Sequence, residues 1–428
     1  MKKLTVLLLT ALVAFSVFAG ASAEKKETVE VEIWHSAQGT NSTVFDEIID
    51  DFNSTVGKEK GIHVESIYQG KANDVLTKVK AASGTSSLPD IAMMDATAAV
   101  DMNTSRDLVT IDALGIDTSR ILENGLSSYT SENGLLALPF NASALLYYYN
   151  KSLYDSLNIV PPGTIEEMAQ AVAKTGKKDE KGNLVRAGFA GIPTTFELST
   201  FIGAQKGLSF LLDNRNGHDG LATKVIFGEE GTYKAFLLEW KKVYDTGYYS
   251  TIGSGVTAEF TSGRCAAMLA SSSNLASVIN NAEGFEVGVS AVPVVNSEAT
   301  GGTVISGGAL YAFSSSEAVK TVLEYLISPE VQAKWSEGTG YVPVNTDTYK
   351  TESYSKFLAE NPLYRVASDA LLNSNAKMTN VWVPSAYSVY YAFQTNIVNY
   401  LNGTDIDATV SEMEEIINSA IKVYREQN

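Results

Sequence analysis

The fold is decided near the start of the chain, by a segment that opens with Val29-Glu30-Val31-Glu32-Ile33-Trp34. Apolar and acidic residues alternate in this stretch with a period of two, which predicts a β-strand with one buried face. Apolar residues at helical spacing follow over residues 44–52 and 75–82, and strand-like runs cover residues 62–68 and 91–94. This alternation of three strands with two helices predicts right-handed crossovers and a parallel sheet.

The length and net charge of the chain restrict the classes of ligand that it can bind. The 428 residues, 45% of them apolar, correspond to about two or three compact units. The formal net charge of −17 makes nucleic acid an unfavourable partner, because phosphate binding needs a concentrated positive field. The same charge repels an anionic membrane surface. We therefore expect no nucleic-acid or membrane-surface ligand.

The first 23 residues have the features of a secretory leader. Lys2 and Lys3 precede an apolar run over residues 4–18, and Ala21-Ser22-Ala23 has the small-residue pattern of a cleavage site. We predict export and cleavage after Ala23, most simply into a periplasm. The single cysteine, Cys265, is not at that site, so a lipid anchor there and an internal disulfide are both excluded.

The pattern of the rest of the chain also predicts an α/β structure. Two strand-like segments lie at residues 285–292 and 304–313, after a long helix-rich middle that includes an amphipathic run over residues 236–244. The last helical stripe covers residues 410–424. Two α/β lobes, between which the chain crosses several times, fit this pattern. Chains of that kind hold ligands in the cleft and close around a hinge.

Catalytic and metal-binding motifs are not found in the sequence. The three histidines, His35, His63 and His218, are scattered, without the spacing of metal ligands, so we expect no metal and no cofactor. Cys265 lies in an apolar stretch and is predicted to be a small buried hydrophobe. Among 49 acidic residues, a carboxylate pair for glycoside hydrolysis cannot be recognised from sequence, so that alternative stays open.

Aromatic and hydroxyl residues are prominent instead. Tyrosine outnumbers phenylalanine, 21 to 16, and rings cluster at Tyr147–Tyr149 and after Trp382. Aromatic rings cover the apolar faces of sugars, while hydroxyls and amides meet the sugar hydroxyls. These clusters are typical of sugar or polyol recognition, although Tyr147–Tyr149 equally fits a sheet strand.

Six motifs together resemble the extracellular solute-binding proteins of ABC importers, and within them most closely the periplasmic binding proteins for sn-glycerol 3-phosphate. The resemblance runs from about Val29 to the C-terminus. The motifs are Trp34-His35-Ser36 with Gly39, Leu138-Pro139-Phe140-Asn141-Ala142-Ser143, Tyr148-Tyr149-Asn150-Lys151, Phe260-Thr261-Ser262-Gly263-Arg264-Cys265-Ala266, Ile305-Ser306-Gly307-Gly308-Ala309 and Thr339-Gly340-Tyr341-Val342-Pro343.

The resemblance implies a bilobal periplasmic-binding-protein fold, two α/β lobes joined by a hinge with three chain crossings. We expect residues 24–140 and 293–343 to form the first lobe, and residues 141–292 and 344–428 to form the second. The crossings are expected near residues 138–144, 292–295 and 342–346. The resemblance also implies that the protein is a monomer and delivers its ligand to an inner-membrane ABC permease.

The resemblance also carries over site residues. Ser143, Ser272, Gly308 and Tyr341 fall where the glycerol-phosphate binders place ligand contacts, and Asp95 falls near their acidic ligand residue. The glycine can bring its backbone N–H close to a ligand, because no Cβ intervenes.

One departure bears on the ligand. The phosphate-facing arginine of those proteins falls close to Trp382, and no lysine or arginine lies between Asn380 and Asn399. Trp382 is therefore interpreted as a stacking platform for a sugar ring, with core packing as the alternative. Trp34 is expected at a strand end facing the cleft. Arg264 is the nearest basic residue in a shared motif, although a surface turn is the simpler interpretation.

The sequence thus predicts an exported binding protein for a carbohydrate or an sn-glycerol-3-phosphate-like polyol ester, and not an enzyme. The missing arginine favours a neutral sugar, whereas the motif match favours the ester. A secreted glycan-active hydrolase and a chemosensory binding protein on the same fold are the alternatives.

Overall fold

The computed structural model describes residues 28–205 and 207–427. The predicted leader, residues 1–23, lies outside this range. Within it the chain forms two β-sheets surrounded by helices, with two further two-stranded sheets at the periphery.

The strands carry the framework of both lobes. In chain order they are β1 (Val29–His35), β2 (Ile62–Tyr68), β3 (Ile91–Asp95), β4 (Thr130–Ser131), β5 (Gly134–Leu135), β6 (Leu138–Pro139), β7 (Leu145–Asn150), β8 (Lys177–Lys178), β9 (Leu184–Arg186), β10 (Phe189–Ala190), β11 (Tyr249–Ser250), β12 (Ala267–Ser271), β13 (Val287–Ala291) and β14 (Gly308–Ala312).

Helices fill the connections. They are α1 (Thr40–Ser54), α2 (Val56–Lys60), α3 (Ala72–Ala82), α4 (Ala99–Met102), α5 (Ile111–Leu114), α6 (Glu123–Ser127), α7 (Lys151–Ser156), α8 (Ile165–Thr175), α9 (Thr195–Gly203), α10 (Asp213–Gly217), α11 (Thr232–Asp245), α12 (Val256–Thr261), α13 (Leu275–Asn281), α14 (Glu317–Leu326), α15 (Pro329–Thr339), α16 (Glu352–Glu360), α17 (Pro362–Leu372), α18 (Ala386–Leu401) and α19 (Ile406–Gln427). Short 3₁₀ turns lie at Ala96–Ala98, Ser272–Asn274 and Thr346–Lys350.

The first lobe is built on a sheet of strand order β2-β1-β3-β14-β6. Its first three strands are parallel, as the alternation of strand and helix patterns predicted. The late strand β14 runs antiparallel to β3, with Gly308 opposite Asp95, and also pairs with β6. The sheet is therefore mixed, and residues distant in sequence meet at its centre.

The second lobe has a sheet of order β11-β10-β12-β7-β13. Strands β10, β11 and β12 are parallel, and β7 lies antiparallel between β12 and β13. Tyr147–Tyr149 belongs to β7, so the strand interpretation of this aromatic cluster is confirmed. A layer of aromatic rings around Trp240 and Phe236 packs beneath the sheet.

The chain crosses between the lobes at three segments that pair with one another. Ser143 pairs with Ser306 through two backbone hydrogen bonds, and Ala142 pairs with Val342. A small three-stranded hinge therefore joins the two sheets, as the predicted fold with three crossings requires.

Two of the predicted lobe boundaries need to be moved. Residues 293–301, assigned to the first lobe from sequence, pack on the second: Val294 pairs with Thr164, Val295 lies in the second core, and the N–H of Thr300 donates to Ala204. We propose that the middle crossing lies near residues 303–307 and not near residues 292–295. Residues 346–360, assigned to the second lobe, pack on α15 of the first. We propose the boundaries accordingly.

Candidate functional site

The cleft lies between the carboxyl ends of the parallel strands of both sheets. In the first lobe, β3 ends at Asp95, which faces Gly308 at the start of β14. In the second, β12 ends at Ser271, which faces Leu145 at the start of β7. Because Gly308 and Leu145 adjoin the crossing segments, both sheets turn these edges toward the hinge. The carboxyl ends of strands in open α/β sheets are where ligands bind.

Four of the predicted residues lie around the crossing segments. Ser143 is part of the hinge pairing and almost fully buried. Ser272 is fully buried; its backbone N–H donates to the carbonyl of Ala144, and its hydroxyl accepts from the N–H of Ala144. Gly308 and Tyr341 follow on the second and third crossings. The sequence-derived set thus converges at the hinge, and the role of each residue in ligand binding stays a prediction.

The glycine pair at the middle crossing is needed for close packing. Gly307 has a φ of +115°, and a Cβ at this residue would lie 1.5 Å from the carbonyl oxygen of Asn141. At Gly308 a Cβ would approach the side-chain amide of Asn141 to 3.2 Å. Only a residue without a side chain lets the two crossing segments approach this closely.

Asn141 is a site candidate that the sequence analysis quoted only within a motif. Its amide nitrogen lies 3.3 Å from the sulfur of Met93, and its side-chain oxygen is buried without a hydrogen-bond partner among the described residues. A buried acceptor of this kind costs stability unless a partner fills it. The side chain of Asn141 lies beside Gly308 at the middle crossing.

Asp95 is a half-buried carboxylate at the edge of the cleft. Its side chain accepts hydrogen bonds from the backbone N–H and the hydroxyl of Thr97. Burial raises the pKa of this carboxyl above its usual value, and the bonds from Thr97 oppose that shift. Among the described residues no ion pair is found for Asp95, and the donors to its side chain are the N–H and the hydroxyl of Thr97.

Tyrosines from both lobes surround this carboxylate. The hydroxyl of Tyr311 donates to the backbone oxygen of Asp95. Tyr387 on α18 approaches from the second lobe: burial and the charge of Asp95 raise its pKa to about 12, while Thr97 opposes the shift. The pKa of Tyr341 is also raised by burial, with opposition from Ser273 of the second lobe. The charge of Asp95 therefore influences the pKa of a tyrosine of the second lobe, Tyr387.

Tyr341 belongs to an aromatic stack that continues into the first lobe. Its ring lies parallel to that of Trp335, which in turn contacts Phe140 at the first crossing, with centroids 5.1 Å apart. Trp335 is fully buried and its indole N–H has no partner among the described residues. Trp335 was not singled out from the sequence, because the helical spacing of apolar residues does not show which ring a tryptophan supports.

Trp382 is buried in this structure. Only 1% of its surface is exposed, one face is covered by the imidazole of His218, and its indole N–H has no hydrogen-bond partner among the described residues. These contacts favour the core-packing alternative, since a face stacked on His218 is not available to a sugar. The flanking Val381 and Val383 gave a pattern that fits either role.

Trp34 is also buried, and the structure does not bring it to the other predicted residues. It packs in the first core, and its indole N–H donates to the carboxylate of Glu32, two residues earlier on the same face of β1. The residue was expected to face the cleft from a strand end. Its contacts favour a structural role.

Arg264 lies away from the cleft. It precedes β12, whose other end is at Ser271, and it forms two hydrogen bonds with Glu259 on the surface. Five strand residues at about 3.3 Å each separate the two ends of β12. The surface-turn interpretation of Arg264 is therefore confirmed, and this residue does not replace the phosphate-binding arginine.

Two cavities open near the cleft. One of about 120 Å³ lies at the carboxyl ends of β10 and β12, where Pro193, Thr194 and Glu197 face Tyr390 and Gln394. Three aromatic rings line this cavity: Phe189 and Trp240 of the second core, and Tyr390 on α18. A larger groove of about 680 Å³ runs between α3 and the start of α18 and includes Thr97 and Tyr387.

Neither a metal-binding cluster nor a membrane-spanning helix is found among the described residues. No group of three or more His, Cys, Asp or Glu side chains that could hold a metal ion is found among them. Within the same ranges, no helix is both long and apolar enough to span a bilayer.

Comparisons with known proteins agree with this architecture. Residues 47–364 match the family described as bacterial extracellular solute-binding protein. The sn-glycerol-3-phosphate-binding periplasmic protein UgpB of Yersinia pestis is 27% identical over 371 residues, which cover 82% of each chain.

Solved structures show the same fold. UgpB from Mycobacterium tuberculosis, in complex with glycerophosphocholine, superposes with a TM-score of 0.75 at 21% identity and covers 92% of this chain and 99% of its own. A cyclic α-maltosyl-1,6-maltose binding protein from Arthrobacter globiformis gives 0.74 at 21% identity, with the same coverage. At these identities the likeness concerns the fold.

Proposed function

Because this chain belongs to the bacterial extracellular solute-binding proteins, we propose that its cleft binds a neutral, polyhydroxylated solute, of the sugar class, and presents it to an ABC permease. Binding would shift the lobes toward the closed arrangement, because a ligand in the cleft touches both lobes only when they are closed. The predicted location outside the cytoplasm agrees with the family.

The observation that carries the choice of ligand is the carboxylate of Asp95, which accepts hydrogen bonds from Thr97 and has no cationic partner among the described residues. A phosphate dianion placed near it would experience repulsion without a cation to offset it. Residues 380–399 contain no lysine or arginine, and Arg264 is bound to Glu259 beyond the far end of β12. Separate hydroxyls of a neutral solute, in contrast, can donate to Asp95 and to the side-chain oxygen of Asn141.

Aromatic rings support the same ligand class. Tyr341, Tyr387 and Tyr390 reach the cleft or its cavities and are only partly buried, so their faces can cover the apolar side of a sugar ring. Their hydroxyls add donors and acceptors. We propose Ser143, Ser272, Gly308, Tyr341 and Asp95 as the ligand-binding set, joined by Asn141.

A polyol phosphate is the second candidate. The curated relatives carry the name of sn-glycerol-3-phosphate binding and are 27–28% identical to this chain. Such a ligand would have to be held by backbone N–H groups and helix ends alone.

Thermal unfolding of residues 24–428 with a ligand panel decides between the two. The panel contains maltose, longer oligosaccharides, monosaccharides, glycerophosphocholine and sn-glycerol 3-phosphate. A ligand present at about 100 times its Kd stabilises the native state by roughly 2.7 kcal/mol, which is visible in the Tm. We expect stabilisation by a neutral sugar. A shift with sn-glycerol 3-phosphate alone would contradict the proposal.

We propose that no covalent step follows binding. The family binds solutes and hands them on, and a hydrolase would need two carboxylates facing each other across the cleft, one of them protonated. Purified protein should leave chromogenic glycosides unhydrolysed over hours. Release of the chromophore by the wild-type protein, lost in Asp95→Asn, would instead support the glycan-active alternative.

A further inference from the structure

Two buried tyrosines form hydrogen bonds with the backbone at the cleft edge of the first sheet. Tyr311 belongs to β14, and its hydroxyl donates to the backbone oxygen of Asp95 at 3.3 Å. Tyr129 lies between α6 and β4, and its hydroxyl donates to the backbone oxygen of Gly307 at 3.1 Å. Asp95 and Gly308 face each other at the carboxyl end of β3. The two hydroxyls therefore hold the backbone on both sides of this pair.

The rings of Tyr129 and Tyr311 pack on each other in the first core. Their centroids are 6.2 Å apart and the rings meet edge to face, at an interplanar angle of 85°. Tyr129 is 3% exposed and Tyr311 is 0% exposed. A closely packed interior keeps such rings in one orientation, so each hydroxyl has a fixed position. Replacement by phenylalanine removes the hydroxyl and keeps the ring contact.

Both hydroxyls stay protonated and can donate. Burial raises the pKa of Tyr129 and of Tyr311 above the usual value of a tyrosine, because the phenolate would lose its solvation. The nearby charge of Asp95 raises both pKa values further. At neutral pH the two tyrosines are therefore donors to the backbone oxygens of Gly307 and Asp95.

The bond from Tyr129 sets the direction of a predicted ligand donor. The carbonyl of Gly307 and the N–H of Gly308 belong to one peptide group, and the peptide bonds between the described residues are trans. In a planar trans peptide, the carbonyl and the following N–H point in opposite directions. Because Tyr129 holds the carbonyl from the core side, the N–H of Gly308 points away from the core.

This peptide group needs an external constraint because a glycine lies on each side of it. Glycine populates many backbone conformations, and Gly307 has a φ of +115°. On the far side of Gly308, the N–H groups of Phe140 and Asn141 donate to its carbonyl, at 3.2 and 2.8 Å. Tyr129 supplies the corresponding bond on the near side. The orientation of the peptide group therefore depends on the hydroxyl of Tyr129.

Tyr311 constrains Asp95 in a similar way. Its hydroxyl holds the backbone oxygen of Asp95, while the carboxylate accepts from the N–H and the hydroxyl of Thr97 in the following 3₁₀ turn. Backbone and side chain of Asp95 are thus held by different residues. A group that is oriented in this way before binding loses less freedom when a ligand arrives.

We propose that Tyr129 and Tyr311 are positioning residues of the solute site: Tyr129 orients the N–H of Gly308, and Tyr311 orients Asp95. Because both tyrosines are buried, they act through these residues and not by contact with the solute. The inference rests on the proposed function, since it concerns the same cleft. It predicts that loss of either hydroxyl weakens solute binding while the fold is kept.

The glycine pair allows the bond from Tyr129 to be observed directly. Gly301-Gly302 and Gly307-Gly308 are the two places in the sequence where a glycine follows a glycine. With glycine labelled by ¹³C at the carbonyl and by ¹⁵N, a spectrum that correlates each amide with the preceding carbonyl contains only the signals of Gly302 and Gly308. In Tyr129→Phe the carbonyl frequency of Gly307 should fall, because a carbonyl that loses a hydrogen bond is less deshielded. The Gly302 signal should stay in place.

Solute binding is measured by calorimetric titration, with maltose first and then with the other solutes of the thermal panel, including sn-glycerol 3-phosphate. For each solute that stabilises wild type, Tyr129→Phe and Tyr311→Phe should each raise the Kd by about tenfold. Tyr233→Phe is the matched control: the ring is buried in the second lobe, and its hydroxyl donates to Asn396 at 2.9 Å. This variant should lower the Tm by about as much as the other two and leave the Kd unchanged.

Two results would overturn the inference and leave the proposed function intact. They are an unchanged Gly308 signal in Tyr129→Phe, and Kd values of both hydroxyl variants equal to those of wild type and Tyr233→Phe. Because Tyr311→Phe tests a separate bond, the inference can be contradicted even where Tyr129→Phe does not fold. Stabilisation of wild type by no solute of the panel would instead contradict the proposed function, and the inference with it.

Discussion

The phenol ring of Tyr341 lies parallel to the indole of Trp335, with centroids 5.6 Å apart and an interplanar angle of 12°. Tyr341 is only partly buried, while Trp335 is fully buried. The pair therefore joins the cleft surface to the first core. A ring supported from behind in this way loses little freedom when it binds a ligand.

Tyr341→Ala should remove the thermal stabilisation produced by whichever panel ligand stabilises wild type. Tyr341→Phe keeps the ring on Trp335 and should retain most of it, with a loss of about tenfold in affinity if the hydroxyl contacts the solute. Calorimetric titration measures both. Tyr325→Phe, which packs on Phe52, is the control. Equal binding by Tyr341→Ala and wild type would remove Tyr341 from the site.

Asp95→Asn should change the ligand preference. Loss of the charge removes a hydroxyl acceptor, so affinity for a neutral sugar should fall by about tenfold or more, as for hydrogen bonds to charged groups. The repulsion of phosphate also disappears, so sn-glycerol 3-phosphate should bind more tightly than it binds to wild type. Titration of both ligands against both proteins gives the two ratios.

Asp117→Asn, at an exposed position in the same lobe, is the matched control for Asp95→Asn. Arg264→Ala is a second one and should leave the Kd of either ligand unchanged, because its side chain is bound to Glu259 at the surface. If Arg264→Ala abolished phosphate binding, the assignment of the cleft from strand ends would be wrong.

Trp382→Ala should destabilise the fold by about 3–5 kcal/mol, the cost of removing a large buried ring and leaving a cavity. Urea denaturation measures this, and Trp382→Phe should cost less. Tyr391→Ala, at a ring that is 63% exposed on the same part of the chain, should stay within about 0.5 kcal/mol of wild type. Unchanged stability of Trp382→Ala with lost ligand binding would restore the platform interpretation.

The thiol of Cys265 should be inert in the native protein. Burial raises its pKa to about 12, and the charge of Glu259 adds to that effect, so very little thiolate exists at pH 8. We expect Ellman's reagent to find no reactive thiol in the folded protein and one per chain in concentrated urea. Fast native-state labelling would show that residues 265–269 open readily.

The local sequence pattern determined which segments become strands and helices in each lobe. Alternation over residues 29–34 and helical spacing over residues 44–52 depend on neighbours within a few positions, so they can be read without tertiary structure. The strand interpretation of Tyr147–Tyr149 was available on the same ground. The resemblance then predicted a first crossing over residues 138–144, which contains Ser143, whereas it placed the middle crossing near residues 292–295, away from Gly308.

Tertiary structure alone decided which side chains share an environment. Three arrangements depend on contacts between distant segments. Gly308 pairs with Asp95, Asn141 fills the space beside Gly308, and Trp335 supports Tyr341. The sequence around Trp382 did not distinguish a core ring from a ligand platform, because the flanking valines fit both roles. The contact of His218 with Thr130 has no local signal at all. Hydrophobic periodicity shows which face of a helix or strand is buried. It does not show which residues pack against that face, because the packing of the two lobes brings those residues together.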